Sequence, residues 1–322
     1  MTLSELICAN TAGAKLLLLI ALPSIPAMDQ RSVSLGDAVR PDIRVDVNLV
    51  VLDVTVRDTK GRAALGLEAT DFTILEDGVR QTLRVFRHED VPVTVGLVVD
   101  HSGSMHDKLA DVVTAVRAFV DLSHPDDRMF VVNFNDSPTI GLPAGIEFTN
   151  EAVELARAVA DTRTEGKTAL YDAVLHALRL VLTGIPEKRV LVVISDGADN
   201  ASVHGLADML LLARASNAQI FAIGLFDDSN QDRNPRVLRK LAHATGGEAF
   251  FPSQPSEVLA ISKRIAADIR HQYSLGYVSS NSDKPDGFRS IRVKVGPGRK
   301  HLTVRTRAGY QATSNRTAGA RP

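Results

Sequence analysis

The sequence contains no tryptophan, and aromatic residues make up only 5% of it. So few flat side chains leave little on which nucleobases could stack. Charge of one sign is also missing: 37 Lys and Arg stand against 38 Asp and Glu, for a formal net charge of -1. Without a basic excess there is no electrostatic drive toward a phosphate backbone, and no nucleic-acid partner is expected. Cys8 is the single cysteine. No disulfide can form within the chain, and thiolate catalysis or thiolate metal sites are excluded beyond that N-terminal position. Long apolar runs are lacking too. Leu16 to Leu22 is too short to cross a bilayer as a helix, and no later run is long enough, so no membrane span is expected in the mature chain.

The short run nevertheless has a context. Lys15 precedes it, Pro23 and Pro26 break it, and the small Ala27 follows. Residues 1–27 therefore have the outline of a secretory signal peptide, which implies an exported protein, periplasmic or extracellular. Glu5 opposes the lone lysine and weakens the basic start. The other reading is a misplaced start or a disordered tail.

Beyond the leader the texture changes twice. Residues 43–90 read as β: "DVNLVVLDVTVR" has a strand pattern, and "DFTILEDGVRQTLRVFRHE" reads as a hairpin with Asp77-Gly78 at its turn. From 91 to 270, near-continuous apolar strands such as "VPVTVGLVVD" and "KRVLVVISDG" alternate with helical periodicity. "EAFFP" is a possible short strand, and Ser256 a cap for the last helix of this region. That alternation predicts an α/β fold, a doubly wound, mostly parallel Rossmann-like sheet. Residues 271–312 return to β, and residues 313–322 read as a disordered tail. Neither flank is comfortable alone, because isolated hairpins are marginal in water. The two are expected to pair into one small β unit into which the α/β domain is inserted.

In an open parallel sheet, ligands bind beyond the carboxyl ends of the strands. Two predicted strands end there in acids. One gives Asp100, followed by Ser102 and Ser104; the other gives Asp196. The loop "TEGKTAL" brings Thr168 to the start of a helix. Carboxylates and hydroxyls from three loops are hard oxygen donors, suited to Mg²⁺, Mn²⁺ or Ca²⁺. Each residue also has a plainer reading: Asp100 as a strand-end cap, Thr168 as a helix N-cap, Asp196-Gly197 as a turn. Gly103 is expected to permit a tight turn between the two serines. His101 is expected on a solvent-facing rim. Asp199 and Asn200 either join that rim as partner contacts or shape their loop. Met105 is expected to pack beneath the loop, His106 and Asp107 to start the next helix, and Asp172 to face the first turn of its own.

Asp100-His101-Ser102-Gly103-Ser104 fits the Asp-x-Ser-x-Ser signature of von Willebrand factor type A domains, and the order of the three segments resembles the metal ion-dependent adhesion site of that family. The resemblance covers about 91–270. It implies that Ser102, Ser104 and Thr168 are metal-binding hydroxyls, with Asp100 and Asp196 acting largely through bound water. The flanking segments, "QYSLGYV", "FRSIRVKV" and "RAGY" among them, resemble exported type A domain proteins described among Acidobacteria. What is implied is a cation-dependent module that captures an Asp or Glu carboxylate of a protein partner, and no enzyme. Two alternatives remain: a metal-dependent hydrolase on the same sheet edge, or a structural module that binds metal incidentally. Against catalysis, no ligand-spaced histidine pair, nucleophile elbow or complete phosphate loop is present. "TEGKTAL" contains Gly-Lys-Thr but lacks the upstream glycine and the buried strand.

Overall fold

Alternation of buried and exposed residues along Leu49–Arg57 makes the first strand, β1. The computed structural model describes residues 49–88, 90–184, 188–226, 232–281, 287–296 and 301–312. The expected leader (1–27) and tail (313–322) lie outside the described residues. β2 (Phe72–Glu76) and β3 (Val79–Gln81) form the expected hairpin. Asp77 and Gly78, at φ 48° and 83°, supply the two left-handed positions such a turn needs. The hairpin stops at Gln81, however, and β4 (Leu83–Arg87) leaves for another sheet.

The chain then builds the α/β layer. It comprises β5 (Thr94–Asp100), α1 (Leu109–Val120), β6 (Arg128–Phe134), β7 (Pro138–Ile140), α2 (Ala152–Ala160) and α3 (Leu170–Val181), followed by β8 (Arg189–Ser195), α4 (Leu206–Ala215), β9 (Gln219–Gly224), α5 (Pro235–Thr245), β10 (Ala249–Phe250) and α6 (Val258–Arg270). The sheet runs β10-β9-β8-β5-β6-β7, parallel except for β7 at one edge. Every residue of β5 is buried, because α1 packs with α2 and α6 on one side of the sheet while α3, α4 and α5 pack in sequence on the other. Ser256 does not cap α6. It lies in a short 3-10 turn, Pro255–Glu257, whose last residue is the cap.

Four strands follow: β11 (Tyr273–Val278), β12 (Gly287–Val295), β13 (Thr303–Arg305) and β14 (Gly309–Ala312). They interleave with the N-terminal strands in two sheets, β13-β1-β11-β4 and β14-β12-β2-β3. A second core, including Leu52, Val54, Ile74, Tyr273, Tyr277 and Val293, fills the space between them. The α/β domain is thus inserted in a β unit made by both flanks. Its departure strand β4 and return strand β11 are antiparallel neighbours, so the insertion begins and ends at one place. Glu76, fully buried in β2, accepts hydrogen bonds from Tyr277 (2.6 Å), Arg289 (3.0 Å) and Tyr310 (3.0 Å), tying β2 to β11, β12 and β14.

The β unit is fastened to the amino ends of the parallel strands. Arg57 and Arg305, at the ends of β1 and β13, both pair with the buried Asp268 of α6. Gln272 bridges Gln219 of β9 (2.6 Å) and Thr55 of β1 (3.3 Å). Lys188, just before β8, donates to the Ile269 carbonyl in the last turn of α6. Among the described residues, no helix is long and apolar enough to cross a membrane.

Two predictions test this framework. Glu76→Ala strips Arg289 of its buried partner and should cost about 3–5 kcal/mol in urea denaturation; a loss below about 1 kcal/mol would show that the network is dispensable. Burial pushes the Lys188 ammonium down to about 8, with Arg270 adding to the shift and Asp53, Asp90 and Asp127 opposing it. Below that pH the lysine is charged in both folded and unfolded chains, and the cost of burying the charge is present in full. That cost is relieved as pH rises toward the unfolded value. Relative to Lys188→Met, the native protein should therefore gain on the order of 2–3 kcal/mol between pH 7 and pH 10; a pH-independent difference would refute it.

Candidate functional site

β5 and β8 are parallel neighbours, so the residues that follow them emerge side by side at the carboxyl edge. Asp100 and Asp196 are both fully buried there. Asp100 Oδ1 accepts the Ser102 amide (2.8 Å) and its Oδ2 accepts the Ser195 hydroxyl (2.6 Å). Ser104 donates to Asp196 Oδ2 (2.8 Å), and its Oγ lies 3.3 Å from that of Ser102. Asp196 Oδ1 accepts the Ala198 amide (3.0 Å). Asp100, Ser102, Ser104 and Asp196 therefore form one hydrogen-bonded group. Burial raises the Asp100 carboxyl to about 6; the Ser102 and Ser195 hydrogen bonds oppose the rise and the Asp196 charge adds to it.

Thr168 is buried in the adjoining loop and is held by main chain. Its amide donates to Asn200 Oδ1 (2.9 Å), and its carbonyl accepts the Asn200 (2.9 Å) and Ala201 (3.1 Å) amides. A further bond, Glu165 N–H to the His101 carbonyl (2.9 Å), joins the Thr168 loop to the Asp100 loop. The three loops are thus tied pairwise. Thr168 is not the N-cap of α3. Ala169 holds that position, and the first amides of the helix are taken by Asp199 (Tyr171 N–H, 3.0 Å) and Ser202 (Asp172 N–H, 3.1 Å).

Several sequence expectations need correction. His101 is not on a solvent-facing rim. It is fully buried, with Nδ1 3.1 Å from the Val99 carbonyl and Nε2 2.9 Å from the Val159 carbonyl. The C-terminal turn of α2 presents the second carbonyl and draws the ring inward. Gly103 has no left-handed φ and opens onto empty space. It lies in a 3-10 turn, Gly103–Lys108, that also takes up His106 and Asp107, so α1 begins only at Leu109. The glycine the site does require is Gly197, at φ +78°, where a Cβ would sit 2.5 Å from the Asn234 carbonyl oxygen. Asp172 reaches beyond its own helix and accepts the Val203 (2.8 Å) and His204 (3.1 Å) amides. Asp199 and Asn200 hold loops together, and Met105 is buried beneath the site as expected.

Sequence reasoning missed Ser195. A serine at the end of an otherwise apolar strand, directly before an acid, was the available signal. Its hydroxyl joins Asp100 to the Gly197 amide (3.0 Å). In the Gly-Lys-Thr loop the Lys167 amide donates to the Asp136 carboxylate (3.0 Å). Among the described residues no group of three or more His, Cys, Asp or Glu side chains is placed to hold a metal ion. The donor set here is two carboxylates and neighbouring hydroxyls, which fits a small hard cation and no soft one.

Gly197→Ala should destabilise the protein by about 1–3 kcal/mol, the cost of a left-handed non-glycine residue, before the added collision with Asn234. Gly103→Ala should stay within about 0.5 kcal/mol of the parent. Thermal denaturation of the two variants side by side decides it, and equal melting temperatures would contradict the assignment.

A search of curated proteins returns no match. Among solved structures, a von Willebrand factor type A protein from Catenulispora acidiphila is similar at 14% identity and a TM-score of 0.50, over 79% of this chain and 77% of that one. The vWF domain of the type V pili tip protein Mfa5 from Porphyromonas gingivalis gives 13% and 0.44, over 56% of this chain and 95% of its own. Proximal thread matrix protein 1 from the mussel byssus, with a zinc-occupied MIDAS motif, gives 18% and 0.48, over 60% and 49%. At such identities the likeness is one of fold. The family model described as von Willebrand factor type A domain matches residues 94–264, just over half of the chain and the whole stretch from β5 into α6, and the protein belongs to that family.

Proposed function

We propose that the protein is an exported adhesion or assembly module that captures an Asp or Glu carboxylate of a partner protein at a divalent cation. Ser102, Ser104 and Thr168 would supply direct hydroxyl ligands, and Asp100 and Asp196 would act through water or by orienting the serines. The observation that carries this reading is the bonded group of Asp100, Ser102, Ser104 and Asp196 at the carboxyl edge of the sheet. Neutral hydroxyls quench little of an ion's charge, so a bound Mg²⁺ would retain affinity for one more anionic ligand. Asp100 stays where it is because the Ser102 amide and the Ser195 hydroxyl hold both its oxygens. Binding rather than phosphate chemistry is favoured by the Asp136 carboxylate inside the Gly-Lys-Thr loop, which takes the Lys167 amide that a phosphate would use. Export is supported by the leader-like residues 1–27.

Calorimetry of the full chain with MgCl2 and then MnCl2 should show saturable binding. Thr168→Ala and Ser104→Ala should each weaken it by about tenfold or more. Partner capture from the native organism should be lost in chelator and in Thr168→Ala. A parent protein that binds neither ion would sink the cation reading.

A further inference from the structure

At the amino ends of the parallel strands, opposite Asp100, the β unit and the α/β domain leave a cavity of about 440 Å³ between them. That volume is in the range of small-ligand sites, roughly 300–1,000 Å³. One wall is the outer face of the sheet β13-β1-β11-β4. Register aligns Asp53, Ser274 and Arg87 across three strands of that sheet, then Val51, Gly276 and Val85, with Leu49 beyond. Without a side chain at Gly276, Leu49 and Val85 come together over its Cα; a Cβ there would be 2.8 Å from the nearer of them. Leu49 and Val51 remain 46% and 45% exposed, which makes this an apolar platform with no protein covering it among the described residues.

The facing wall is cationic. Lys188 directly precedes β8, Arg189 begins it, and Arg307 comes from the segment before β14. Arg307 reaches across to the Val51 carbonyl (2.9 Å). Among the described residues, the Nε–H groups of Arg189 and Arg307 are buried without an acceptor, while a terminal nitrogen of Arg307 also donates to Asn217 Oδ1. Among the described residues, Asp53 is the one carboxylate lining the cavity, against the cations Arg87, Lys188, Arg189 and Arg307. Buried donors without acceptors are unfavourable, and a cavity whose lining cations outnumber its lining carboxylates among the described residues suits an anionic ligand.

We propose that this cavity binds a small amphipathic carboxylate, its head group taken by Lys188, Arg189 and Arg307 and its alkyl chain laid over Leu49, Val51 and Val85. The site is independent of the cation site at the other end of the sheet and does not rest on that reading.

Calorimetry of the full chain with decanoate, below its micellar range, is the test. Decanoate should bind once per chain. Butyrate, which lacks the tail, and decyltrimethylammonium, which lacks the carboxylate, should bind at least about tenfold more weakly. EDTA should change nothing. Arg189→Gln should weaken decanoate by about tenfold with unchanged circular dichroism. Should that variant fail to fold, Val51→Asp, at a half-exposed position, should do the same by spoiling the platform. The proposal is overturned by no decanoate binding, by equal binding of decyltrimethylammonium, by unaltered affinity in the variants, or by loss of binding in EDTA.

Discussion

The antiparallel pairing of β4 with β11 governs how the two parts of the chain are joined. It brings together the strand by which the chain leaves the β unit and the strand by which it returns. Everything between them, β5 to α6, must fold as a closed excursion from one point. Because α6 runs directly into β11, the end of the excursion is anchored where it begins, with Asp268 held by Arg57 and Arg305 and with Arg270 on Asp127. The parallel sheet is thereby given a direction. Its amino ends meet the β unit and its carboxyl ends face away.

The two ends of the sheet solve opposite electrostatic problems. At the carboxyl edge, two buried aspartates stand close together among serine hydroxyls and main-chain amides. Neutral donors hold such carboxylates in place without cancelling their charge, which is why burial drives the Asp100 carboxyl upward. At the amino edge the excess is positive, and it is met in part by Asp53, Asp268 and Asp127 and by the carbonyls ending α6. Between these charge assemblies, β5, β8 and β9 carry no charged side chain except at their ends.

Much of this was legible in the sequence because the signals are local. Strand and helix periodicities mark the α/β layer, Asp77-Gly78 marks a turn that requires two left-handed residues, and the ends of β5 and β8 are marked by acids. The errors share one cause. His101 reads as polar and therefore exposed, yet the carbonyls of Val99 and Val159 satisfy it in the interior, and Val159 is 58 residues away. Gly103 reads as a necessary turn glycine, yet the chain there is an ordinary 3-10 turn, and the steric demand falls on Gly197, opposite Asn234. Ser195 was passed over because its partner, Asp100, is distant in sequence.

The alternation of elements, the α/β class and the candidate acids and hydroxyls can be read from local pattern alone, since each depends on neighbouring residues and on backbone preferences at single positions. How the flanks interleave, which loop fastens Thr168, the interior position of His101 and the cationic cavity beneath the sheet emerge only in three dimensions. Those features come from contacts between residues tens to hundreds of positions apart. Such contacts form only when strand register and helix packing bring the groups together, and no local pattern encodes that distance.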